Sequence, residues 1–206
     1  MLSQLIEYLG TFVVSLISTT GYFGILVLMT IESACVPLPS EITMPFAGYL
    51  VSTGQLSLWL VALAGAVGCN IGSTVAYWIG AWGGRALAER WGRYVLLKPH
   101  DIDVAERFFA RFGPAAVFLG RLLPVVRTFI ALPAGFGRMN MWKFQIYSFI
   151  GSFIWCLALA WVGEQLGTQW DSNPMLKSAF HSADLLIVAA VLAAIAWFIW
   201  SHRRRA

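Results

Sequence analysis

Hydrophobic and polar residues divide this chain into long uninterrupted apolar runs and short charged patches. Residues 8–31, 42–84, 144–163 and 185–202 contain no Asp, Glu, Lys or Arg. A helix needs roughly 20 predominantly apolar residues to cross a bilayer core. The runs 142–163 and 184–201 each predict one span. The run 42–84 is too long for one crossing, and Gly54, Gln55 and Ser57 mark the break, with a span predicted over 58–82. Within that span Gly65, Gly68, Gly72 and Gly80, with Ala64 and Ala76, repeat at about helical spacing, the pattern of close helix packing in membranes.

Two apolar segments are interrupted. Residues 21–54 run apolar to Ile31, meet Glu32, Pro37, Pro39 and Glu41, and then turn apolar again through Pro45. Each proline removes a backbone donor and disfavours continued helix. The segment 113–137 carries Arg121 and Arg127 on either side of Pro124, with Pro133 beyond. Each segment predicts two half-helices with a broken tip. At the N-terminus, Leu2, Leu5, Ile6, Leu9, Phe12, Val13, Leu16 and Ile17 follow a helical period, predicting an amphipathic helix over 1–18. The opening residues lack the basic n-region of a secretory signal, Glu7 being the only early charge. In 85–112, Ile102, Ala105, Phe108, Phe109 and Phe112 form one apolar stripe among six basic and four acidic residues, as in an interfacial helix.

Composition agrees with this division. Of 206 residues 59% are hydrophobic and only 12% charged, and mean hydropathy is +0.72. A soluble domain is about 25% charged, so this chain cannot cover a globular surface with polar groups. That argues against a soluble enzyme, a disordered regulator and a nucleic-acid binder. The fold class predicted is an all-α polytopic membrane protein, a single membrane domain over 1–206. Cys35, Cys69 and Cys156 lie in apolar stretches without metal-type spacing, and His100, His181 and His202 lie in polar ones, so no metal site or cofactor is implied. The 10 Trp and 6 Tyr read mainly as interface belts.

Charge sets orientation, because cytoplasmic loops carry the excess of Lys and Arg. Arg203, Arg204 and Arg205 in the tail 202–206 place the C-terminus in the cytoplasm. The loop 164–183, with Lys177 as its one basic residue, then falls outside. Arg138, Lys143 and the 85–112 segment fall inside. Both ends of 113–137 therefore share the inner side, and 21–54 enters from the outer side. The expectation is two opposed re-entrant hairpins, the arrangement of discontinuous transporter helices.

Four charges are left at membrane depth: Glu32, Glu41, Arg121 and Arg127. A charge at bilayer centre costs about 2.5–3.5 kcal/mol on insertion scales. The acidic pair reads either as a titrating proton or cation site or as helix caps near the interface. The arginine pair reads as a phosphate clamp, since guanidinium forks match phosphate oxygens, or as ion-pair partners of the two glutamates. Asn70 and Thr74, one turn apart, read as interhelical hydrogen-bonding residues or as cavity lining. No Ser–His–Asp, P-loop or dinucleotide pattern is present, so no enzyme is expected.

Glu32 followed by Pro37, Pro39 and Glu41, then Phe46, Ala47 and Gly48, forms one motif. Phe118, Gly120, Arg121, Pro124, Arg127 and Thr128, then Pro133, Gly135 and Met139, form a second. Together, over about residues 20–165, they resemble the DedA family of bacterial inner-membrane proteins, related to the SNARE-associated Golgi (VTT-domain) proteins. Many members have Gly where this chain has Ser40. The resemblance implies two opposed re-entrant hairpins in a multi-pass protein of the plasma membrane. It implies transport of lipid phosphates, notably recycling of undecaprenyl phosphate, with Arg121 and Arg127 on the phosphate and Glu32 and Glu41 in proton coupling. The partners implied are membrane lipids and a polyprenyl phosphate. The alternatives are a general phospholipid scramblase, a proton- or cation-coupled exporter, and a membrane scaffold or assembly factor.

Overall fold

The computed structural model describes residues 13–34, 40–95, 99–124 and 126–167, with side chains described outside 84–106. Residues 1–12, Pro37, Pro39, the expected span 184–201 and the basic tail 202–206 lie outside the described residues. Those described are helical with short turns: α1 (13–20), α2 (Tyr22–Ser33), α3 (Ser40–Ser52), α4 (Leu58–Val95), α5 (Pro99–Arg121), α6 (Val126–Phe129), α7 (Ala131–Phe136) and α8 (Met141–Leu166).

Among the described residues, two stretches are long and apolar enough to cross a membrane, Leu58–Gly83 of α4 and Met141–Leu166 of α8, each 26 residues. At 1.5 Å per residue each reaches roughly 39 Å, against about 30 Å of hydrocarbon. Their ends carry exposed tryptophans: Trp59 and Trp82 on α4, Trp142 and Trp161 on α8. The helical rise puts these pairs roughly 35 and 29 Å apart, the spacing of two aromatic belts. Between them exposed Leu63, Ile71, Val75, Ile146, Ile150 and Ile154 present an apolar outer face. In water such a face would be costly; in lipid it is the solvated one.

By contrast α2 and α3 have 12 and 13 residues, roughly 18–20 Å, and neither crosses alone. They pack on different partners: α2 along α4, and α3 along α8. The second broken unit mirrors this, with α5 along α8 and α7 along α4. Glycines make these approaches. A Cβ on Gly68 or Gly72 of α4 would overlap the backbone carbonyl oxygens of Leu26 or Thr30 in α2. Gly48 and Gly163 face the carbonyls of Ala160 and Pro45, joining α3 to α8. Gly135 of α7 faces Tyr77 in the same way.

Two boundaries differ from the sequence expectation. Helix α4 continues past residue 82 to Val95, and α5 runs through Gly113 and Pro114 to Arg121. The change from apolar to charged composition near residue 85 marks a change of surroundings. It does not end the helix, because Arg, Ala, Leu and Glu are good helix formers. The turn after α3 falls at 53–57, where Gly54 has φ +76° and open space around it.

Among the described residues the core has two apolar clusters. One gathers α1 to α4 with α8 around Ile17, Leu28, Met29, Met44, Cys69 and Cys156. The other gathers Ala76, Tyr77, Phe109, Val117, Ala134 and Phe144. Along α4 the buried polar Ser73 lies between Cys69 and Ala76; along α8, Ser148 and Ser152 lie between Phe144 and Cys156. A polar layer thus separates the clusters, close to midway between the tryptophan belts.

Candidate functional site

The breaks in the two short-helix units meet in this layer. Helix α2 ends at Ser33, with the Ala34 N–H bonded back to Thr30 and Ile31. Glu32 therefore sits in its last turn, the negative end of the helix dipole, where a carboxylate needs a compensating partner. After α5, Leu122 and Leu123 close a tight turn onto Leu119 and Gly120, and α6 then starts at Val126. The turn brings Arg127 across to Glu32, with Nη2 to Oε1 3.3 Å. The pair joins one broken unit to the other and is 2% and 5% exposed.

Arg121 closes α5 at the dipole end that favours a cation. It is 1% exposed, and its Cβ lies beside Gly151, midway along α8. Its Nη1 donates to the backbone oxygen of Arg127 at 3.0 Å. The break at Pro124 thus lets two arginines six positions apart converge, which a continuous helix would forbid. Arg127 also donates from Nη2 to Cys69 Sγ at 3.7 Å and lies over the ring of Trp155, 5.2 Å from its centroid.

These contacts leave donors unused. Nε and Nη2 of Arg121 and Nη1 of Arg127 are buried with no hydrogen-bond partner among the described residues. Buried guanidinium donors left unsatisfied carry a full desolvation penalty. Three such nitrogens on two adjacent cations form a cluster of donors whose chemistry suits an anion.

Glu41 is half-buried in the first turn of α3, the dipole end that suits a carboxylate. Thr74 Oγ1 donates to the Asn70 carbonyl and accepts from Gln145 Nε2, both at 2.6 Å, which ties α4 to α8. Asn70 Oδ1 is buried without a partner among the described residues. Pro133 lies within α7. Trp155, Cys69 and Gln145 were not singled out as site residues by sequence reasoning; in an apolar helix they look like packing or belt residues until tertiary structure places them. Replacing Thr74 with Val strands the Gln145 amide, and is expected to cost about 0.6–2 kcal/mol in reversible unfolding from lipid.

Crossing helices, short broken helices and buried charges at their breaks define a helical integral membrane protein with a buried cluster of charges at its centre. The VTT domain matches residues 38–165, and the chain belongs to this family, the DedA proteins. It is 34% identical over 177 residues to undecaprenyl phosphate transporter A of Bacillus subtilis, covering 86% of this chain and 87% of that protein. The Staphylococcus aureus protein of the same name is 32% identical, covering 88% and 90% respectively. A Lactococcus lactis relative named alkaline phosphatase-like protein is 27% identical, covering 93% and 92%. No solved structure matches the chain.

Proposed function

We propose that this chain carries a lipid phosphate monoester, undecaprenyl phosphate, across the bacterial plasma membrane. The observation that carries the reading is the set of three unpartnered guanidinium nitrogens on Arg121 and Arg127, both at least 98% buried. A phosphate monoester offers three terminal oxygens to such a set, whereas a phosphodiester offers two. The names of the relatives in two bacteria agree with this class of cargo.

The two hairpins enter from opposite faces and meet at the midplane with the C-terminus in the cytoplasm. The head group uses the polar layer while the isoprenoid tail stays in lipid. Glu32 competes with phosphate for Arg127. With Glu32 ionised, Arg121, Arg127 and Glu32 sum to one positive charge; with Glu32 protonated they sum to two, matching a phosphate dianion. A proton arriving at Glu32 therefore frees Arg127 for the cargo, and Glu41 supplies a second carboxylate nearby.

Reconstituted protein should move undecaprenyl phosphate between leaflets, and a proton ionophore should collapse any accumulation against a gradient. Phospholipid diesters are expected to compete at least tenfold more weakly, since one charge-assisted bond is worth about 1.5–3 kcal/mol. Equal movement of diesters, insensitive to the ionophore, would point to a scramblase. Release of inorganic phosphate would point to a hydrolase. Glu32→Gln is expected to abolish proton dependence; loss of folding or partner binding without any separate transport defect would instead favour a scaffold.

A further inference from the structure

Trp155 lies one turn beyond Gly151 on α8, on the stretch that packs against Arg121. Trp59, Trp82, Trp142 and Trp161 stand exposed at the ends of the two long helices. Trp155 is half-buried near the middle, and its ring faces the Arg127 guanidinium at 5.2 Å. Its Nε1 is buried and has no acceptor among the described residues. An indole nitrogen donates and never accepts, so what would satisfy it is an acceptor, beside the same arginine whose Nη1 also lacks one. A purely packing role would be served by phenylalanine without that penalty.

Building on the transport reading above, we propose that Trp155 is a headgroup-binding residue for the phosphate monoester. Its N–H is a further donor beside Arg121 Nε and Nη2 and Arg127 Nη1. Its ring face holds the Arg127 guanidinium in a fixed plane by cation–π attraction, so that the free Nη1 edge stays aimed when Glu32 lets go.

The test uses the full chain in lipid nanodiscs, with undecaprenyl phosphate as ligand and undecaprenol, which lacks the phosphate, as control. Trp155→Phe keeps a ring and removes the donor. Benzothienylalanine introduced at position 155 keeps the bicyclic shape, also lacks the N–H, and decides the matter if the Phe variant does not fold. Both are expected to bind the phosphate lipid about tenfold more weakly, as loss of one hydrogen bond to a charged group implies. Undecaprenol binding should be unchanged, and in transport the defect should fall on KM rather than on the maximal rate. Wild-type affinity in the benzothienylalanine protein overturns the role of Trp155 and leaves the transport reading intact. Failure of the wild-type protein to prefer undecaprenyl phosphate over undecaprenol overturns both.

Discussion

Arg127→Ala is expected to abolish lipid-phosphate movement and to destabilise the fold by about 3–5 kcal/mol, the usual cost of removing one member of a buried ion pair. Three losses coincide. Glu32 is left buried without its partner at the unfavourable end of α2. The link between the two broken units disappears, and so does a free donor nitrogen. Stability and transport separate in the partner experiments. Arg127→Lys retains a charge for Glu32 but has no planar fork, so it should recover most of the stability and little of the transport. The double variant with Glu32→Gln should also regain stability, because the uncompensated carboxylate is gone, and should remain inactive. The measurements are unfolding in mixed micelles and lipid movement in vesicles. Wild-type transport by Arg127→Lys would remove the case for a fork on phosphate.

Gly163→Ala is the second large effect. A Cβ there would overlap the Pro45 carbonyl oxygen, 2.6 Å from Pro45 Cα and 2.7 Å from its carbonyl carbon. These are backbone atoms and cannot rotate away, so α3 and α8 must separate. Gly48 presents the same obstacle in reverse, with Ala160 C and Glu164 N each 2.9 Å from its would-be Cβ. The cost should reach or exceed the roughly 1–3 kcal/mol of ordinary overpacking. At Gly54, where nothing lies within 4 Å but φ is +76°, Ala should cost only about 1 kcal/mol from backbone strain. A thermal melt ranking Gly163→Ala and Gly54→Ala equally would show that the close approach of α3 and α8 is not needed.

Both long helices were legible as charge-free runs, because lipid excludes charge wherever the backbone crosses it. The same exclusion made Glu32, Glu41, Arg121 and Arg127 stand out, and the structure joins Arg127 to Glu32 and to Arg121. Glu41 and Glu32 are not interchangeable, since one sits at the favourable end of a helix dipole and the other at the unfavourable end, a distinction that depends on where α2 stops. Trp155 was hidden for a different reason. An indole inside an apolar run has the same local pattern whether it faces lipid, a belt or a buried arginine, and only packing of α8 against α4 and α5 tells them apart. Helix α4 continues beyond the apolar span and α5 runs through 113, because composition reports solvent while helix continuity follows propensity.

The way the two broken units are shared between α4 and α8 also governs how the chain must be born. Helix α3 leaves the ribosome with its glycine face ready, but the helix that covers it, α8, begins some ninety residues later. At roughly 5–20 residues per second, that is a wait of about 5–18 s. During it, a segment too short to cross the bilayer and carrying Glu41 has only its lesser contacts with α2 and α4 and lacks its main packing partner. The close packing of the first broken unit is therefore completed only once α8 has been made.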